Sequence, residues 1–117
     1  AIAQALRPLR DGAAVHEVVA AGGLSHRHFI ARFRAAIGLG PKAYARIQRL
    51  RRVRALLAAG RPLDAAALDA GFSDQSHLNR EFQALAGITP AAYRRAAIRG
   101  GAHVPVNFLQ DPAAMQR

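Results

Sequence analysis

A chain of 117 residues carrying a formal charge of +10, from 17 basic and 7 acidic side chains, has room for one domain or two very small ones. It has no cysteine, which excludes disulfides, thiolate metal sites and cysteine nucleophiles. No apolar run approaches the roughly 18 residues of a membrane span, no signal peptide is visible, and the charge favours an anionic partner.

Ile2 to Leu9 reads as a short helix ending near Pro8, before the turn at Asp11-Gly12. In the next segment Val15, Val18 and Val19 repeat at helical spacing, and Gly22-Gly23 stops it. Ser25 suits the N-cap of a helix whose Phe29, Phe33 and Ile37 form a buried stripe, ended by Gly38 and Gly40. Pro41 then opens a longer helix in which Tyr44, Ile47, Leu50, Val53 (or Arg54) and Leu57 recur every three or four residues. Gly60 ends it after about 28 Å. The remainder is rich in arginine: Arg46, Arg49, Arg51, Arg52 and Arg54.

A second cycle follows. Pro62 opens a short helix, Gly71 turns the chain, Ser73 or Asp74 caps a helix to Ala86, and Gly87 stops it. Thr89-Pro90 begins a last helix through Tyr93. Residues 99–117 lose the periodicity and read as an irregular tail. The expected class is all-α, with about seven helices.

The two cycles superimpose. Gly23 meets Gly71 and Ser25 meets Ser73 at an offset of 48, while Phe33 meets Phe82, Gly38 meets Gly87, Pro41 meets Pro90 and Tyr44 meets Tyr93 at 49. One residue is inserted early in the second copy, and by the later offset Asp74 takes the place of the Ser25 cap. Short helix, glycine turn and capped helix is the helix-turn-helix arrangement. Two copies in a strongly basic chain make DNA binding the favoured reading.

From Val15 to Tyr93 the chain resembles the C-terminal DNA-binding domain of AraC/XylS-type transcription regulators. The second unit carries the signature: Ala67, Gly71-Phe72, the run Asp74-Gln75-Ser76-His77, Phe82, Gly87, Pro90, Tyr93 and Arg94. The first unit matches through Gly23-Leu24-Ser25, Arg27-His28-Phe29, Phe33, Gly38, Pro41 and Tyr44, and the long helix through Arg49-Leu50 and Leu56-Leu57. The resemblance implies two helix-turn-helix subdomains, 1–40 and 61–98, joined by a linker helix over 41–60. It also implies recognition helices at about 26–37 and 74–86 in successive major grooves of a double-stranded operator. Activation by contact with RNA polymerase is likewise implied, as is an N-terminal effector or dimerisation domain in the full-length protein. A cytoplasmic, nucleoid-associated location fits this reading.

In the second recognition helix Leu78, Phe82 and Leu85 face inward, leaving Gln75, Ser76, Asn79, Arg80 and Gln83 outward. Amide, hydroxyl and guanidinium groups suit base edges, and the family places base contacts at positions matching Gln75, Ser76, Asn79 and Arg80. The first recognition helix offers Arg27 as a guanine reader, with Ile30 and Ala31 toward thymine methyls. There the sequence departs from the polar residues usual in the family, so the second unit is expected to carry most of the specificity. Phosphate candidates are His26, Arg34, Arg49, Gln83 and Arg94. The other linker arginines are expected to be solvated or to pair with Glu17, Asp64 or Asp69. The family often has histidine at the positions of His28 and His77, which suggests packing roles.

His26 and His28 lie on different helix faces, so their spacing supports no metal pair. No paired carboxylates and no nucleophile elbow point to catalysis, and no cofactor is expected. The competing reading is a basic helical module on an acidic protein or an anionic membrane surface. The arginine-rich helix would serve there, but it has no tryptophan and needs its apolar stripe for the core.

Overall fold

The computed structural model describes residues 2–100, and the side chains of residues 2–98. Seven α-helices follow one another: α1 (Ile2–Arg10), α2 (Val15–Gly22), α3 (His26–Ile37), α4 (Pro41–Ala58), α5 (Leu63–Ala70), α6 (Gln75–Ala86) and α7 (Pro90–Gly100). No strand occurs among the described residues, in line with the all-α expectation. The expected irregular tail lies outside them from residue 101 onward. Arg99 and Gly100 continue α7 rather than begin the tail.

α1 also outlasts its expected end, since Pro8 sits inside it. A proline in a helix removes one N–H and crowds the preceding turn. Here Pro8 is on the exposed side, while Leu9 beyond it is 1% exposed. Burial of Leu9 favours continuing the helix past Pro8 to Arg10.

The chain divides into two compact units, residues 1–48 and 49–117. In the first, Ala5, Leu9, Val18, Val19, Phe29 and Phe33 form a buried cluster, with Ile2, Leu24, Ile37 and Tyr44 packed against it. In the second, the buried set includes Leu50, Val53, Leu57, Ala66, Ala67, Phe72, Leu78, Phe82, Leu85 and Tyr93. Of the α4 stripe read from sequence, Ile47, Leu50, Val53 and Leu57 are buried and Tyr44 is half-buried.

The repeat holds at the level of packing. Phe33 meets Tyr44 edge-on at 5.6 Å and 69°. Phe82 meets Tyr93 at 5.6 Å and 61°. These are favoured aromatic geometries. Burial holds the Tyr93 phenol above its ordinary pKa, with Arg54 pulling it the other way. Gly38 and Gly87 end α3 and α6 at φ 95° and 77°, their N–H groups donating to the Arg34 and Gln83 carbonyls. A side chain there would be strained.

Candidate nucleic-acid interface

Each recognition helix starts on a side-chain cap. Ser25 Oγ accepts the His28 N–H at 3.2 Å, and Asp74 Oδ1 accepts the His77 N–H at 2.7 Å. The caps stand 49 residues apart, so the inserted residue lies between Gly71 and Asp74, in the turn of the second unit. Three residues link α2 to α3 and four link α5 to α6. A carboxylate cap also complements the positive end of the helix dipole.

The extra turn residue has its own anchoring. Ser73 N–H donates to His77 Nδ1 at 3.1 Å, and Ser73 Oγ lies 3.1 Å from the same nitrogen. The half-buried His77 ring stands edge-on to Phe72, at 5.2 Å and 76°. His77 therefore packs, as expected, whereas His28 is exposed and contributes its backbone N–H to the cap.

On α6, Leu78, Phe82 and Leu85 are buried at 0–3% exposure. Gln75, Ser76, Asn79, Arg80 and Gln83 are all exposed. The helix thus has one packed face and one continuous polar face. That face offers amides, a hydroxyl and a guanidinium, which can pair bidentately or singly with base edges. On α3, His26, Arg27, Ala31 and Arg34 are exposed, but Ile30 is half-buried. Only part of the Ile30 side chain remains for an external contact. The Arg34 guanidinium lies against the turn, its Nε 3.3 Å from where a Cβ on Gly40 would stand.

The remaining phosphate candidates are placed differently. Arg49 is half-buried, its Nη2 3.4 Å from Glu81 Oε1, its guanidinium 5.2 Å from the Phe72 ring centre. Arg94 is half-buried too and donates to the Arg61 carbonyl. Both guanidiniums are engaged inside their own unit. Among the linker arginines, Arg49 pairs with Glu81. Glu17 accepts the Ala14 N–H at 3.1 Å, Asp64 accepts the Ala65 N–H at 2.8 Å, and Asp69 pairs with Arg61 at 2.8 Å.

Sequence reasoning missed a brace behind the second unit. Arg52 donates to the Ala70 carbonyl from Nη2 at 2.7 Å and from Nε at 3.2 Å, closing the C-terminus of α5. Arg49 meanwhile reaches α6 through Glu81 and the turn through Phe72. Two arginines of one helix thus tie down all three parts of the motif. Cations at a helix C-terminus are favourable for the same reason that anions are at its start.

Short helix, tight turn and capped helix, present twice, define a protein of the helix-turn-helix class. A helix-turn-helix domain family matches residues 4–96. The chain belongs to this family, in its AraC/XylS-type form. It is 35% identical over 85 residues to the regulatory protein Ada of Salmonella typhimurium, covering 73% of this chain and 23% of that relative. It is 33% identical over 85 residues to the bifunctional transcriptional activator and DNA repair enzyme Ada of Escherichia coli, with the same coverage. The chain thus spans about a quarter of the length of these relatives. Among solved structures, it resembles the DNA-binding domain of the global transcriptional factor AdpA in complex with a target DNA. That match has a TM-score of 0.72 and 32% identity, over 82% of this chain and 87% of that one.

No helix among the described residues is long and apolar enough to cross a membrane. Among the same residues, no three His, Asp or Glu side chains gather into a group that could hold a metal ion.

Proposed function

We propose that this chain binds double-stranded DNA sequence-specifically as the DNA-binding part of a transcription regulator. The observation that carries it is the exposed polar face of α6, set on a buried stripe and capped by Asp74. Gln75, Ser76, Asn79 and Arg80 read base edges in one major groove. Arg27 and Ala31 on α3 face a successive one, with Ile30 contributing at its edge. His26, Arg34 and Gln83 meet phosphates. Arg49 and Arg94, internally engaged, position helices instead. Phosphate contacts fix register and base contacts specify, so the division of labour falls between the rim and the centre of each helix.

Residues 1–40 and 61–98 act as the two reading subdomains and 41–60 as their linker. The chain itself carries no enzymatic step. It works in the cytoplasm on the nucleoid, as an activator that contacts RNA polymerase, with an effector or dimerisation domain supplied elsewhere in the full-length protein. The match to Ada over its 85 residues supports the regulatory reading.

Selection of bound duplexes from a random library tests this directly. The expected result is one motif with two parts about one helical turn apart, roughly 34 Å. Binding should fall steeply with salt, by about 0.9 log units per tenfold salt for each phosphate neutralised. No enriched motif together with a flat salt curve would overturn DNA reading and favour an acidic protein partner.

A further inference from the structure

The two recognition helices begin alike and are anchored differently. By the offset of 49, His28 and His77 hold the same place, three residues after the caps Ser25 and Asp74. A side chain at that place often reaches back to a backbone N–H at the helix start, the reciprocal half of a capping box. His28 is exposed. His77 is half-buried against Phe72 and reaches back to the Ser73 N–H at 3.1 Å. Ser73 lies in the turn that is one residue longer than its counterpart. His77 thus holds that turn twice. Its own N–H donates to Asp74 Oδ1 at 2.7 Å, and its Nδ1 accepts from Ser73. Between the anchored ends stand Gln75 and Ser76, both exposed.

The bond to Ser73 fixes the state of the ring. A backbone N–H can only donate, so Nδ1 carries a lone pair and the ring proton sits on Nε2. A proton on Nδ1 would face the Ser73 N–H as a second donor. Ser73 Oγ, also 3.1 Å from Nδ1, could accept that proton, but the Ser73 N–H would lose its acceptor. Ser73 is exposed, so water can take the N–H once the turn shifts. The loss is then of position rather than of fold. Charge reaches the surroundings of the ring from two helices. α6 brings Asp74, Arg80 and Glu81, and α4 brings Arg49 over the Phe72 ring and Arg52 beside Gly71.

We propose that neutral His77 is a positioning residue for base readout: through Nδ1 it fixes the turn that sets Gln75 and Ser76 against base edges, and protonation of the ring releases that turn. The inference rests on the assignment of Gln75 and Ser76 to base contacts. Protonation also adds positive charge, which strengthens attachment to any phosphate backbone. Acid therefore costs selectivity rather than affinity for DNA at large.

The test has two arms, both on the 117-residue chain. The first needs no DNA. Two-bond 15N–1H correlation at about pH 8 should show His77 with a bare Nδ1 and a protonated Nε2. A proton on Nδ1 would overturn the proposal. The second arm measures affinity for the selected duplex and for random duplex at about pH 8 and about pH 5, the span of histidine titration. The ratio of the two affinities should fall about two- to tenfold in acid. His77→Asn, whose Oδ1 keeps an acceptor near the place of Nδ1, should hold the ratio at both pH values. His77→Phe, which keeps a ring against Phe72 and loses the acceptor, should give the lowered ratio at both. The other histidines titrate in all three forms, so the comparison isolates His77. A wild-type ratio that ignores pH, the same acid loss in His77→Asn, or a His77→Phe that matches wild type at about pH 8 would each overturn the proposal. Should His77→Phe not fold, the tautomer and His77→Asn decide. Selection that yields no motif would remove the base-contact assignment and this proposal with it, while the first arm would still report the bond, so the two failures are told apart.

Discussion

The first and second helix-turn-helix units share a core and differ in everything around it. Both pack a phenylalanine edge-on to a tyrosine at 5.6 Å, and both begin the exposed helix on a side-chain cap. Yet α6 presents a run of exposed hydrogen-bonding groups, while α3 presents Ala31 and a half-buried Ile30 at its centre. The second unit is also braced by Arg49 and Arg52, where the first leaves a cavity. The repeat shares what the fold needs, which is shape complementarity in a close-packed interior. It left free what the surface does. The better-braced unit is the one with the richer reading face, and base readout by short side chains rewards a fixed helix.

That comparison can be broken most forcefully at its common core. Phe33→Ala and Phe82→Ala should each cost about 3–5 kcal/mol, because both rings are 0–1% exposed and leave cavities of one kind. Urea denaturation with amide hydrogen exchange as the readout would check this unit by unit. Strongly unequal costs would mean that the repeat is geometric only. The brace gives the next effect. Arg52→Gln should cost about 1.5–3 kcal/mol through lost charged hydrogen bonds to Ala70. Exchange should quicken in α5 and α6 and stay unchanged in α2 and α3. Equal quickening in both units would deny the brace a local role.

The elements that sequence revealed are those whose signal is local. Helical periodicity placed Leu78, Phe82 and Leu85 inside, and the Gly-x-x-Pro punctuation aligned Phe33 with Phe82 and Tyr44 with Tyr93. Cap chemistry offered Ser73 and Asp74, and the structure selects Asp74. What stayed hidden depends on long-range contact. Arg49 finds Glu81 across 32 positions and Arg52 finds Ala70 across 18, and neither spacing leaves a periodic trace. The kinship of α1 with α4 was hidden for another reason. At the offset of 48 the two share buried Leu9 and Leu57 and the positive-φ Gly12 and Gly60, but Gln4 and Arg52 differ in chemistry and Ala5 and Val53 in size. The half-burial of Ile30 was missed because a position beside a buried stripe is covered to an extent that only packing decides.

The central claim is that this chain reads DNA mainly through α6. The most direct measurement is the binding loss of Arg80→Ala and Arg27→Ala, each on the selected site and on random duplex. Arg80→Ala should cost about 1–3 kcal/mol on the selected site, relax one position of the motif and change random binding little. Arg27→Ala should cost less. Equal losses for Arg80→Ala on both duplexes, or a larger specific loss for Arg27→Ala, would contradict the account.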